Sequence, residues 1–267
     1  MPLAVCATPI GNLEDVTLRV LRELAEADLV LCEDTRHTKI LLERHGIEAK
    51  LLSYHEHNEA ERTAQVLPRL QDGERVALTS DAGLPGVSDP GARLIAAALE
   101  AGVPVTVLPG PSAVETALVA SGLLGEQYRF LGYLPRSEKA RAGLWEELGR
   151  WPHPAVAFES PRRLSASLAS LAASLPERPV AVCRELTKRF EEVVRGTAAE
   201  VAASITEPPK GEITLVLGGA PVVEGDEGEA LAALSELVEA GAGRRQAADV
   251  VSRLSGIPRN RLYRGSL

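Results

Sequence analysis

Aspartates set among glycines and prolines mark the chemically richest stretch of this 267-residue chain. Residues 79–91 read Thr-Ser-Asp-Ala-Gly-Leu-Pro-Gly-Val-Ser-Asp-Pro-Gly and place Asp81, Gly83, Ser88 and Asp89 in one loop. A strand-to-helix connection needs only a few residues, so a loop this long and this rich in Gly and Pro is suited to approach a ligand. It fits neither GxGxxG nor GxxxxGK[ST]. Asp34, Asp81 and Asp89 could together hold magnesium against a phosphate. Asp34 and Asp89 each also read as helix caps, which leaves Asp81 as the aspartate without a structural role. His55 and His57 could meet a metal from one face of an extended segment, but no third ligand is evident. Substrate contact or capping suits residues 55–58 better, and no metal is expected. Ser112 follows Gly110-Pro111, yet residue 114 is Val, so GxSxG fails. Ser112 and Glu115 instead read as a capping box.

The elements that carry these residues alternate. Apolar runs at 3–8, 28–32, 51–54, 75–79 and 104–108 read as strands, separated by amphipathic helical patterns. Asn58 with Glu61 reads as an N-cap pair, and Asp89-Pro90 as the start of a helix ending at Gly102. This order implies a largely parallel sheet covered on both faces, with residues 8–13, 33–36, 80–91 and 109–113 at its carboxyl edge, where open α/β sheets bind ligands. A second α/β unit follows a boundary near residue 124. Its strands at 128–132, 154–158, 180–183, 192–196 and 212–217 predict a mixed sheet, with 192–196 antiparallel.

Composition is that of a soluble protein, with 45% hydrophobic residues and a net charge of −8. The charge disfavours a general nucleic-acid coat protein, and nine aromatic residues disfavour a multi-base stacking platform. No run suits a membrane helix or signal peptide, so a cytoplasmic protein is expected. Cys6, Cys32 and Cys183 sit in apolar runs without CxxC spacing and read as buried hydrophobes. Beyond residue 222 the chain changes character. Residues 224–240 are acidic, starting with Glu224, whereas 244–264 carry six arginines, among them Arg244, Arg245 and Arg259. Ala247, Val250, Val251 and Leu254 predict an amphipathic helix, and Gly256-Ile257-Pro258 a turn into another. In outline the pair is a helix-turn-helix, or else a helical cap with a solvated charged face.

Taken in order, Thr8-Pro9-Ile10-Gly11-Asn12, Glu33-Asp34-Thr35-Arg36, His55-Glu56-His57-Asn58, Ser80-Asp81-Ala82-Gly83, Ser88-Asp89-Pro90-Gly91 and Pro109-Gly110-Pro111-Ser112-Ala113 form a specific set. Glu159-Ser160-Pro161, Arg184-Glu185-Leu186-Thr187-Lys188 and Lys210-Gly211-Glu212 extend it. The set resembles the bacterial 16S ribosomal RNA ribose methyltransferases of the tetrapyrrole methylase superfamily, over about residues 1–220. The resemblance implies an α/β fold of non-Rossmann type, with domains at 1–124 and 125–222 and a helical, Arg-rich extension at 223–267. It implies a homodimer, S-adenosylmethionine between the two α/β domains, and a cytidine 2′-oxygen in 16S rRNA or the small ribosomal subunit as acceptor. The family's cofactor segments fall on Pro9, Gly11, Asp81, Gly83, Ser88, Asp89, Ser112, Ala113, Glu159 and Gly211. One departure is visible. Leu84 stands where the family usually has Thr, and Gly86 is expected to loosen the loop.

A ribose hydroxyl is a poor nucleophile and gains from proton removal or polarisation. Lys188 and Glu185, with His55 or His57, are the candidates. Arg36 could hold a backbone phosphate, and the tail arginines could supply RNA affinity. The rivals are a tetrapyrrole C-methylase of the same superfamily, a magnesium-dependent nucleotide hydrolase built on the three aspartates, and a non-catalytic RNA-binding module.

Overall fold

The computed structural model describes residues 2–221 and 226–266; the expected boundary at 222/223 and Glu224 lie outside them. The chain forms two compact units. One runs to Gly219 apart from Arg150–Pro152, and the other holds those three residues and the chain from Ala220 onward.

The first unit carries two five-stranded sheets. Strands β1 (Leu3–Cys6), β2 (Leu29–Cys32), β3 (Leu51–Ser53), β4 (Val76–Thr79) and β5 (Val105–Leu108) form an all-parallel sheet in the order β3-β2-β4-β1-β5. Both of its faces are dry. Leu3, Val5 and Leu31 pack against Val66 and Leu70 of α3 (Glu59–Gln71) and Leu94 of α4 (Ala92–Glu100). The alternate residues Ala4, Cys6 and Val30 face Leu24 of α1 (Leu18–Glu26) and Leu42 of α2 (Thr35–Arg44). Period-two side chains buried on both faces explain why these strands read as unbroken apolar runs. The three cysteines are free and buried; burial pushes the Cys6 thiol up to about 12 and the Cys183 thiol up to about 11.

The second sheet has the order β6-β7-β10-β8-β9, from β6 (Arg129–Tyr133), β7 (Ala155–Glu159), β8 (Pro179–Arg184), β9 (Glu192–Thr197) and β10 (Ile213–Leu217). Only β6 and β7 pair in parallel; β10 runs antiparallel to both β7 and β8, and β9 antiparallel to β8. Helix α5 (Ala113–Ser121) follows the last strand of the first sheet, yet packs its Val114, Ala117 and Leu118 on Val156, Ala181 and Val216 of the second. Helices α6 (Glu138–Gly149), α7 (Pro161–Ser174) and α8 (Ala198–Ser204) complete this unit. Pro161 stands at the start of α7, where a missing N–H costs nothing. Helix α8 is closed by a capping box between Thr197 and Glu200 that sequence reading did not single out.

Three expected caps take other forms. Helix α4 begins at Ala92 after Gly91, so Asp89 and Pro90 lie in the loop, and Asp89 is free for other work. Asn58 makes no side-chain cap; its Oδ1 accepts the His55 N–H at 2.8 Å. Ser112 makes none either, because its hydroxyl donates to the Glu115 carboxylate. Asp34 does cap α2, accepting the Arg36 N–H.

In the second unit, α9 (Glu227–Glu239), α10 (Arg244–Ser255) and α11 (Arg259–Gly265) enclose a small core of Leu234, Ala247, Val251, Ile257 and Leu262. The inward face of α10 is 247, 248 and 251, so Leu254, expected on that face, is 84% exposed.

Candidate active site

The carboxyl ends of the parallel strands open on a cavity of about 720 Å³ inside the first unit. The first sheet supplies Ile10, Glu33 and the loops 81–84 and 109–115. The second supplies the ends of β6, β7 and β8 and, because β10 is antiparallel, the start of β10 at 211–214. The 79–91 loop is pinned to the chain after β1. Thr8 and Gly83 exchange backbone hydrogen bonds at 2.8 and 3.0 Å, and the Thr8 hydroxyl donates to the Ser80 carbonyl at 3.0 Å. Leu84 packs against the core of the parallel sheet. Gly86 takes φ +85° and its N–H donates to the Pro90 carbonyl at 3.2 Å.

Carboxylates dominate the polar lining. Asp81 is not without structural partners, as the sequence suggested. Its Oδ1 accepts the Asp34 N–H at 3.0 Å and its Oδ2 faces His37 Nδ1 at 3.2 Å, which fixes it at the rim of the cavity. Asp34 turns outward to Arg36, whose hydrogen bonds hold that carboxyl well below the usual range. Arg36 is therefore exposed but already paired, at 2.6 Å. Asp89, which lines the cavity, is destabilised as an anion. Burial, then the charges of Glu33 and Asp81, push its carboxyl up to about 6. Glu33 is raised too, by burial first and then by Asp81. Glu115 moves the other way. Burial opposes its charge, but hydrogen bonds from Ser112 and Tyr128 outweigh that and lower it.

Glu159 is buried in the opposite wall, where it accepts the Ser160 N–H at 2.6 Å and the Ser167 hydroxyl at 2.5 Å and pairs with Arg163. Phe130, Phe158 and Tyr133 stack edge to face beside it, with centroids 5.1 and 5.7 Å apart. The Glu185–Lys188 pair forms a brace. Lys188 Nζ donates to Glu185 Oε1 at 3.0 Å and to Glu212 Oε2 at 2.8 Å, and the Glu212 N–H donates to Glu185 Oε1 at 3.0 Å. That amide, then Lys188, lowers the Glu185 carboxyl. Burial pulls the Lys188 ammonium down, but its hydrogen bonds to Glu212 and Glu185 leave it raised overall. Both groups are thus held charged, and neither lines the cavity, whereas Glu212 does.

Of the sequence-predicted cofactor residues, Asp81, Gly83, Asp89, Ser112, Ala113, Glu159 and Gly211 line the cavity. Pro9, Gly11 and Ser88 do not. Gly11 serves as a joint: a Cβ there would lie 2.5 Å from Lys188 Cγ and 2.9 Å from the Leu186 carbonyl. At Gly211 φ is +99° and a Cβ would run into the Glu185 side chain. His55 sits by Asn58, its Nδ1 buried and without a hydrogen bond, and its ring lies 6.0 Å from that of His57. Among the described residues no three His, Cys, Asp or Glu side chains converge as metal ligands. Arg244, Arg245 and Arg259 are exposed in the second unit, with Arg259 paired to Asp249 at 3.2 Å. Sequence reading took Glu115 only as the capping-box partner of Ser112 and marked neither Tyr128 nor Glu212 as a site residue. Glu115 and Tyr128 meet across the 122–127 connection, and Glu212 was visible only as the neighbour of Gly211.

A family model for tetrapyrrole (corrin/porphyrin) methylases matches residues 2–202. The ribosomal RNA small subunit methyltransferase I of Micromonospora olivasterospora is 46% identical over 98% of this chain and 85% of its own length. Its counterpart of the same name in Mesorhizobium japonicum is 43% identical over 98% and 90%. Among solved structures, uroporphyrin-III C-methyltransferase from Thermus thermophilus complexed with S-adenyl homocysteine superposes with a TM-score of 0.56 at 21% identity, covering 81% of this chain and 96% of that one. The chain belongs to the tetrapyrrole methylase family, in its ribosomal RNA small subunit methyltransferase I group.

Proposed function

We propose that the protein transfers a methyl group from S-adenosylmethionine to the ribose 2′-oxygen of a cytidine in the 16S RNA of the small ribosomal subunit. The observation that carries this reading is the cavity lining: six carboxylates (Glu33, Asp81, Asp89, Glu115, Glu159 and Glu212), apolar and aromatic walls, and no Lys or Arg. Such a donor set fits a cofactor bearing a sulfonium and an ammonium. It repels a polyphosphate, and with no convergent metal-ligand set among the described residues the nucleotide-hydrolase rival has little support. The volume falls within the few hundred to about 1,000 Å³ usual for small-ligand sites.

When bound, S-adenosylmethionine supplies a methyl group already activated as a sulfonium. The remaining work falls to the chain. Loops 81–84 and 109–113 form one wall and residues 158–161 and 211–214 the other, so the acceptor is oriented between two rigid sheet edges. Phe130, Phe158 and Leu186 exclude water. Asp89, ionised at neutral pH yet unstable as an anion, receives the hydroxyl proton. Glu185 and Lys188 position Glu212 and the Gly211 backbone rather than touching the reacting atoms. Residues 1–124 and 125–222 thus serve cofactor and chemistry, and 223–267 serves RNA affinity through Arg244, Arg245 and Arg259. A cytoplasmic homodimer is part of the same reading, supported by Val119 and Leu124, which stand in solvent; among the described residues no helix is long and apolar enough to cross a membrane. The deciding experiment is methyl transfer to 16S rRNA, free and as assembled small subunits, with the modified nucleoside identified. Transfer to a tetrapyrrole alone, or to a base carbon, would overturn it.

A further inference from the structure

The connection between β8 and β9 is braced by several hydrogen bonds and carries an exposed pair at its tip. Two non-glycine residues in it, Glu185 and Thr187, have left-handed φ of 52° and 64°. Strain of this kind persists only where surrounding contacts over-determine it. Here the contacts are explicit. Thr187 Oγ1 accepts the Asn12 N–H at 3.0 Å, and the Thr187 N–H donates to Glu191 Oε2 at 2.5 Å. The Lys188 N–H donates to the Glu185 carbonyl, and Lys188 Nζ is fixed on Glu185 and Glu212. At the tip, Arg189 and Phe190 escape this bracing. Phe190 is 65% exposed, and the Arg189 guanidinium lies 5.5 Å from its ring centroid. Arg189 pairs with no described carboxylate. The other two phenylalanines pack on each other in the cavity wall.

We propose that the Arg189–Phe190 tip stacks on an unpaired nucleobase of the RNA substrate and so sets its ribose at the cavity; this rests on the RNA-methylating function proposed above. Leu186, at the base of the connection, lines the cavity, and Lys188, next to the tip, bonds the lining residue Glu212. The tip is therefore tied to the cavity wall. The carboxylate-lined cavity repels phosphates, so affinity for the RNA has to come from cations and apolar surface outside it. An exposed ring beside a guanidinium that pairs with no described carboxylate offers both, a π face for the base and a charge for the flanking phosphate.

The test compares wild type, Phe190→Ala, Phe190→Trp and Arg189→Ala for binding to 16S rRNA by fluorescence anisotropy over a range of salt. Phe190→Ala should weaken binding about 5- to 150-fold, the loss typical of one stacked base. Phe190→Trp should keep the affinity, and its added indole fluorescence should be quenched by RNA. Arg189→Ala should lower the log–log salt slope by about 0.7. S-adenosylmethionine affinity by calorimetry should stay unchanged in all three variants, which checks the fold. Wild-type affinity retained in Phe190→Ala overturns the proposal. So does sedimentation showing that Phe190→Ala splits a wild-type dimer, because the tip is then a contact between copies. If wild type itself does not bind RNA, the functional reading falls, and this proposal with it.

Discussion

Replacing Asp89 by Asn should stabilise the protein at neutral pH while impairing it as an enzyme. The Asp89 carboxyl, ordinarily at 3.8, sits at about 6 in the fold. Below about pH 3 it is protonated in both folded and unfolded chains, and the substitution should change little. Between about pH 3 and 6 the unfolded chain gives up its proton first, which favours unfolding. Above pH 6 the wild-type fold carries the whole cost of an ill-placed anion. A separation of about two pH units is worth at most about 3 kcal/mol. Asp89 is only partly buried, and solvent screening reduces this to about 1 kcal/mol. For a chain of this size that is a rise in Tm of about 2–4 °C. Thermal melts of both proteins from pH 4 to 8 measure it. The gain for Asp89→Asn should be small at pH 4, grow through pH 5–6 and level off above 7. Calorimetry supplies a second arm: wild-type affinity for S-adenosylmethionine should rise with pH through about 6, and the variant should lose both that rise and some affinity. A Tm difference independent of pH, or a wild type more stable than the variant at pH 8, would refute the reasoning.

Gly211→Ala should destabilise the fold by about 2–5 kcal/mol, combining a disallowed backbone with a Cβ driven into Glu185; denaturant melts should show it. Lys188→Ala should lower methyl transfer by disturbing Glu212, while the pH profile of activity stays set near 6 by Asp89; a shifted profile would return Lys188 to the proton transfer itself. Arg244→Glu with Arg245→Glu should weaken binding to 16S rRNA and flatten its salt dependence without altering S-adenosylmethionine affinity. All three thiols should resist alkylation at pH 8 in the native protein and react together on unfolding, since each is buried and raised.

The strands were legible because burial on both faces of the parallel sheet leaves continuous apolar runs, and β9 because the β-branched pair Val193-Val194 sits between charged residues. Helix α8 was not, because a seven-residue helix has too few turns to show periodicity. The position of α5 was not legible either: chain order assigns it to the first sheet, and only its contacts show that it lies on the second. Within the site, the Gly/Pro loops announced themselves by composition. The hydrogen bonds of Asp81 were not legible, because its partners, Asp34 and His37, lie 44 residues or more away in sequence. Gly11 and Gly211 were marked as cofactor residues, and their tightest neighbours turn out to be Lys188 and Glu185. A glycine demanded by a long-range close approach looks, in sequence, the same as one demanded by a ligand.

These two glycines also explain how an acidic cavity keeps its shape. Six carboxylates around one space repel one another and favour opening it. The opposing force comes from short contacts: Gly11 lets the first sheet's loop meet Leu186 and Lys188 of the second, and Gly211 lets the start of β10 meet Glu185 after β8. Glu185 and Lys188 convert that proximity into hydrogen bonds, and Asn12 adds one from the first sheet to Thr187. The brace spends its one cation, Lys188, on Glu212 and Glu185, outside the lining. The remaining lining charges stay uncompensated by Lys or Arg, apart from Glu159 on Arg163. A cationic ligand is then the natural complement, and its binding removes the repulsion that the joint otherwise has to resist. It follows that the cofactor should tighten the fold as well as fill it, and that loosening the joint at Gly11 or Gly211 should cost cofactor affinity and stability together.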